Sequence, residues 1–112
     1  MSVSTSLPKP IAAYFSANDR GDFDAMLLSF ADGAVVKDEG KERHGLAAIR
    51  GWMEETAEKY HPTVAVIGAV PAGGKQIVSV RVSGTFPGSP IELRYIFSLA
   101  SGGKISRLEI VP

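Results

Sequence analysis

The side chain best suited to chemistry is a carboxylate at the end of a short apolar strand. The stretch "AVVKDE" covers residues 34–39, and alternate positions divide it into Ala34, Val36 and Asp38 on one side and Val35, Lys37 and Glu39 on the other. Because successive side chains of a strand point to opposite faces, Asp38 continues the face of Val36, while Lys37 and Glu39 take the other. A carboxylate that faces an apolar interior is costly to ionise, so its pKa rises toward values useful for proton transfer. The alternative is that Asp38 lies beyond the strand end, in water or capping a turn.

A tyrosine provides the second candidate. Tyr14 shares one face of a predicted helix with Ile11 and Phe15. A buried phenol normally finds a hydrogen-bond partner, and as a neutral donor it can stabilise a developing oxyanion. Tyr14 is therefore either an oxyanion donor or a core residue.

The remaining polar and aromatic candidates offer less chemistry. Trp52 lies on the apolar stripe of a later predicted helix and is interpreted as wall or core. His44 flanks the start of that helix and His61 follows its end, and neither has the nearby partner that a histidine metal site needs. The chain has no cysteine and no G-x-S-x-G nucleophile motif. We therefore expect neither a metal nor a cofactor.

Composition narrows the class of protein. The 112 residues are 45% hydrophobic and 21% charged, with 12 basic and 12 acidic side chains, values typical of one soluble domain. The sequence has no basic stripe that would indicate nucleic-acid binding. No apolar run approaches the ~18 residues that span a membrane. The start "MSVSTSLPKP" lacks the apolar region of a signal peptide. We expect a cytoplasmic protein with a flexible tail at 1–7 and a single domain at 8–112.

The elements that must position these residues follow from periodicity and turn signals. Helices are predicted over 8–20, 22–30 and 45–60, and strands over 34–38, 63–70, 76–86, 91–100 and 104–111. The residues between Asp38 and the third helix are interpreted as a polar loop. Helices first and a meander of strands afterwards predict an α+β fold, with helices on one face of a curved antiparallel sheet.

Alternation also sorts the two faces of the predicted sheet. The apolar, inward set comprises Val78, Val80, Val82, Leu93, Tyr95, Phe97, Leu99, Leu108 and Ile110. The opposite set comprises Arg81, Glu92, Arg94, Arg107 and Glu109, whose charges can pair across strands. The charged face is either exposed to solvent or a dimer surface.

Three motifs carry a family resemblance. They are Gly21-Asp22 leading into "SFADGAVVKD", then "HGLAAIRGW", then "FSLASGGKISRL" near the end. Together they resemble the nuclear transport factor 2-like superfamily, and within it the SnoaL-like and ketosteroid-isomerase-like branch, from Pro10 to Ile110. The resemblance implies a cone in which three N-terminal helices and the curved sheet enclose an apolar pocket.

The same resemblance implies roles for individual residues. Asp38 corresponds to the carboxylate that moves a proton beside an unsaturated ketone, Tyr14 to an oxyanion-hole tyrosine and Trp52 to a pocket wall. Tyr95 stands where ketosteroid isomerases have a protonated aspartic acid, so it either donates a hydrogen bond or fills the pocket. Met53 replaces a supporting tyrosine. We expect the ligand to contact apolar side chains as well, namely Trp52, Phe30, Leu93, Phe97 and Leu108.

Two functions are consistent with these residues. The first is an isomerase or aldol-type cyclase that abstracts a proton next to the carbonyl of a small apolar compound. The second is a non-catalytic ligand-binding or dimerisation module. The resemblance also includes limonene-epoxide-hydrolase-like proteins, which hydrolyse an epoxide with an Asp–Arg–Asp arrangement. Arg81 and Arg94 fall on the outward parity and a second inward aspartate is missing, so this reaction is not expected. From the resemblance we also expect a homodimer formed through the outer sheet face.

Overall fold

The computed structural model describes residues 7–112. Its helices are α1 (Lys9–Asp19), α2 (Phe23–Leu27) and α3 (Leu46–Tyr60). Its strands are β1 (Phe30–Asp38), β2 (Lys41–His44), β3 (Thr63–Ala72), β4 (Lys75–Ser83), β5 (Ile91–Leu99) and β6 (Ile105–Val111). The α+β class expected from the sequence is confirmed. Within 7–112, no helix is both long enough and apolar enough to cross a membrane.

Local signals explain where the first two helices begin. Helix α1 follows Pro8, and Pro10 lies in its first turn, where a missing N–H costs nothing. Asp22 caps α2, because its side chain accepts a hydrogen bond from the Ala25 N–H at 3.0 Å. The predicted extension of this helix to Phe30 is wrong. Phe30 begins β1 instead, where its ring is buried in the core.

The six strands form one open, curved sheet in the order β2-β1-β6-β5-β4-β3. Strands β3 to β6 make the antiparallel meander that the turns predicted. Strand β1 pairs in parallel with β6, so the expectation of a purely antiparallel sheet needs correction. Alternation assigns the faces of a strand but does not identify its neighbour, so this pairing was not visible in the sequence.

Strand β2 lies where a polar loop was predicted. It pairs with β1 through a two-residue turn, with Asp38 opposite Lys41 and Val35 opposite His44. Its residues "KERH" are mostly exposed. Charged side chains are common on edge strands, where they discourage pairing with other chains. Sequence patterning assigned these charges to a loop because no apolar alternation marks the strand.

The core lies between the helices and the inner face of the sheet, as alternation predicted. The inward residues of β4, β5 and β6 are buried, except that Leu93 and Leu99 are only partly so. Leu7 was expected to belong to a flexible tail, but it is partly buried and packs against this core. The rest of that predicted tail, residues 1–6, lies outside the described residues.

Candidate functional site

A cavity of about 750 Å³ opens between the helices and the inner face of the sheet. All three helices and strands β1, β3, β4, β5 and β6 contribute to its wall. Of the eight residues predicted for the site, five line this cavity: Tyr14, Asp38, Trp52, Leu93 and Tyr95. The size and the largely apolar wall are typical of a pocket for a small organic molecule.

Asp38 is the last residue of β1 and lies in the cavity wall. The indole Nε1–H of Trp52 donates a hydrogen bond to Asp38 Oδ2 at 3.0 Å. Burial raises the pKa of the Asp38 carboxyl, and the negative charge of Glu39 acts in the same direction. The Trp52 hydrogen bond opposes this effect because it stabilises the ionised form. Trp52 therefore orients the carboxylate and partly offsets the cost of burying it.

The two predicted tyrosines face the same space. Tyr14 is 3% exposed and Tyr95 is 7% exposed. Within residues 7–112, neither the Tyr14 hydroxyl nor the Tyr95 hydroxyl makes a hydrogen bond. In the same residues, every fully buried side-chain nitrogen or oxygen has a hydrogen-bond partner. The two hydroxyls therefore retain accessible surface, which the cavity provides. They are available to donate hydrogen bonds to a ligand.

Electrostatics keeps both phenols neutral. Burial raises the pKa of Tyr14 well above its usual value, with smaller contributions from Tyr95 and Asp38. Burial and the charge of Asp38 likewise raise the pKa of Tyr95. The mutual effects place the three groups within electrostatic range of one another. A carboxylate and two neutral O–H donors thus share one apolar cavity.

The other three predicted contact residues lie behind the wall. Phe30, Phe97 and Leu108 are at most 1% exposed and do not line the cavity, so their expected ligand contacts need correction. The reason is packing. The Tyr14 ring meets Phe30 and Phe97 edge-on, at centroid distances of 5.7 and 5.9 Å. The phenylalanines support the tyrosine rather than touching the contents of the cavity.

Sequence reasoning did not assign several wall residues to the site. Asn18 lies four residues after Tyr14, so helical spacing could have found it. Tyr60 and Phe86 meet edge-to-face at 5.6 Å near the cavity mouth. Phe86 lies in the connection after β4, which ends at Ser83, so the predicted extension of this strand to residue 86 is wrong. Met53 also lines the cavity, at the position where the resemblance expects a tyrosine.

The histidines take no part in this site. His44 Nε2 lies 3.1 Å from Glu42 Oε1 on the exposed strand β2. His61 ends α3 in a left-handed conformation. In the part of the chain that the structure describes, no group of three or more potential ligands is arranged to hold a metal ion.

Comparison with known families identifies the fold. Residues 11–108 match the sequence profile of the SnoaL-like domain. The chain belongs to this family. No protein of the curated set matches the sequence.

Solved structures agree with this assignment. A "putative polyketide cyclase" from Sinorhizobium meliloti is 38% identical, with a TM-score of 0.89, over 93% of this chain and 94% of the other. The epoxide hydrolase/cyclase-like enzyme SalBIII, which has a role in pyran ring formation in salinomycin, is 24% identical (TM-score 0.79; 92% and 87% covered). A protein with a ketosteroid isomerase-like fold from Catenulispora acidiphila, in complex with trimethylamine, is 19% identical (TM-score 0.80; 96% and 87% covered). The latter two show the fold alone.

Proposed function

We propose that the cavity binds a small, largely apolar carbonyl compound and that Asp38 removes a proton from the carbon next to the carbonyl. One observation carries this proposal: Asp38, Tyr14 and Tyr95 line a single apolar cavity, with Asp38 oriented by Trp52. Burial and the charge of Glu39 raise the pKa of Asp38, which makes its ionised form a stronger base. The similarity to a cyclase-type structure agrees with this class of reaction.

The proposed reaction has two stages. The substrate carbonyl oxygen accepts hydrogen bonds from the Tyr14 and Tyr95 hydroxyls while the Asp38 carboxylate takes the adjacent proton. The electron pair of the broken C–H bond moves to form an enolate, whose negative oxygen the two donors stabilise. In an isomerisation, protonated Asp38 returns the proton to another carbon. In an aldol-type cyclisation, the enolate carbon attacks a second carbonyl, and protonated Asp38 gives its proton to the resulting alkoxide.

Exchange of hydrogen for deuterium next to the carbonyl tests the base without knowledge of the natural substrate. Small cyclic ketones incubated with the protein in D₂O should lose their adjacent protons, as followed by ¹H NMR. Asp38→Asn should abolish this exchange. Asp32→Asn is the matched control, because Asp32 is an exposed residue of the same strand that does not line the cavity. If Asp38→Asn retains the full exchange rate, Asp38 is not the base.

A non-catalytic ligand-binding module is the alternative, and the cavity wall contains an observation that favours it. Met53 and Tyr95 stand where the resemblance expects a tyrosine and an aspartic acid, so the donor set differs from that of a steroid isomerase. Ligand binding that shifts the Tyr14 and Tyr95 resonances without any proton exchange would support this alternative. Epoxide hydrolysis is disfavoured, since neither Arg81 nor Arg94 lines the cavity. Arg81 bonds to Glu92 and Arg94 bonds to the Pro112 carbonyl.

We also propose that residues 8–112 act as one domain and pair as a homodimer through the outer sheet face. The register of β3, β4 and β5 aligns Val70, Ile77 and Ile96 in an apolar row across that face. Val70 is 57% exposed, and burial against a second copy would remove this row from water. Sedimentation should give a dimer that Ile96→Glu dissociates, and a monomer at micromolar concentration would contradict the proposal. The cytoplasmic location stays a prediction.

A further inference from the structure

The turn after Asp38 carries a glutamate where the backbone disfavours one. Glu39 and Gly40 connect β1 to β2 with φ angles of +54° and +76°. Two-residue hairpin turns with positive φ at both positions favour asparagine, aspartate or glycine at the first. A longer L side chain in the left-handed region costs conformational energy. A residue retained against local preference is a reason to look for a function.

The Glu39 side chain lies at the mouth of the cavity and is held there by one partner. The Tyr60 hydroxyl lies 3.3 and 3.2 Å from the two Glu39 carboxylate oxygens, and both residues line the cavity. The Tyr60 carbonyl accepts a hydrogen bond from the Thr85 N–H at 2.8 Å, and the Tyr60 ring packs edge-on against Phe86. Three separate segments of the chain therefore meet at this side of the mouth.

From this arrangement we infer that Glu39 is a positioning residue of the site. Held by Tyr60, it fixes the turn that presents Asp38 to the cavity and places a second carboxylate beside it. Any effect of Glu39 on turnover rests on the proposed function, in which Asp38 is the base. The effect of Glu39 on the titration of Asp38 is independent of that function.

Electrostatics agrees with this geometry. The Glu39 backbone N–H lowers the pKa of the Asp38 carboxyl, while the Glu39 carboxylate raises it. Arg43 on β2 and Lys59 on α3 are the positive groups that interact with Glu39, and Tyr60 is its hydrogen-bond donor. Removing the Glu39 charge removes a repulsion from ionised Asp38, so Asp38 then gives up its proton at lower pH.

NMR titration of the Asp38 carboxyl carbon tests the inference. In Glu39→Gln the midpoint should move to lower pH. In Tyr60→Phe it should move in the same direction by less, because Glu39 loses its donor and turns toward solvent. The control Glu58→Gln removes an exposed carboxylate from the same helix as Tyr60 and should leave the midpoint unchanged. Unchanged midpoints in both Glu39→Gln and Tyr60→Phe would overturn the inference.

Thermal unfolding of Glu39→Asn tests whether Glu39 is kept at a conformational cost. Asparagine tolerates the left-handed region better than glutamate, so Tm should rise by roughly 3 °C. A fall in Tm would show that Glu39 is present for stability instead. Neither readout needs a substrate. If the Asp38 titration midpoint shifts in Glu39→Gln while Asp38→Asn keeps the full rate of proton exchange, the proposed reaction is refuted and this inference stands. If the midpoint does not shift while Asp38→Asn abolishes the exchange, this inference is refuted and the proposed reaction stands.

Discussion

The hydrogen bond between Trp52 and Asp38 allows a quantitative prediction. Trp52→Phe keeps an aromatic ring on α3 but removes the Nε1–H donor that lies 3.0 Å from Asp38 Oδ2. A hydrogen bond to a charged group contributes about 1.5–3 kcal/mol, and we take the lower end because Asp38 is only partly buried. A loss of ~1.5 kcal/mol by the ionised form raises the proton affinity of Asp38 about tenfold. The Asp38 titration should therefore move to higher pH.

The hydrogen bond between Trp52 and Asp38 should also contribute to the free energy of unfolding, by an amount that depends on pH. Trp52→Phe removes both the donor and some packing volume, so its total cost includes a part that does not depend on pH. A double-mutant cycle with Asp38→Ala isolates the bond. The coupling free energy from urea unfolding should be about 1.5 kcal/mol where Asp38 is ionised, and should shrink as pH falls through the folded pKa of Asp38. Equal coupling at pH 8 and pH 3, with an unchanged Asp38 titration, would refute the reasoning.

Three other variants probe the fold beneath the site. Because the folded pKa of Asp38 lies above its ordinary value of 3.8, the contribution of Asp38 to stability falls as pH rises from 3.8 through the folded pKa. Asp38→Asn lacks this titration, so its free energy of unfolding relative to wild type, measured in urea, should rise across that pH window. A decline would contradict this sign. Phe97→Ala should cost about 3–5 kcal/mol in urea unfolding, because the Phe97 ring is fully buried against Tyr14; a loss below ~1 kcal/mol would show that the site repacks. Tyr14→Phe should change stability by less than about 1 kcal/mol, because within residues 7–112 its hydroxyl has no hydrogen-bond partner; a larger thermal destabilisation would reveal a structural bond.

The parts of the fold governed by burial could be predicted from the sequence. Val36 and Phe97 are fully buried and Tyr95 is 7% exposed, all on the faces that alternation assigned to the core. The structure also places Asp38 in the cavity wall, one alternation step beyond Val36. Alternation succeeded here because one face of each strand exchanges water for protein and the other does not. The boundaries of α3 were equally clear, since Gly45 and Pro62 flank its apolar stripe.

Other features depend on partners that are distant in sequence. The parallel pairing of β1 with β6 brings Val36 opposite Leu108, and nothing in either segment identifies the other. Phe97 and Leu108 are apolar and lie on the same sheet face as the wall residues, but they lie deeper in the core and do not line the cavity. Apolar patterning distinguishes inside from outside. It does not distinguish a residue that touches a cavity from one that lies a layer behind it.

The position of Asp38 depends on register more than on any single contact. A slip of one residue in β1 would exchange the sheet faces of Lys37 and Asp38, because side chains alternate strictly. The two-residue turn at Glu39–Gly40 opposes such a slip by fixing Asp38 opposite Lys41, and the parallel partner β6 fixes Val36 opposite Leu108. The short strand β2, which has little apolar surface of its own, thus helps to fix the face on which Asp38 lies. An exposed, charged hairpin therefore helps to position a side chain in a largely apolar site.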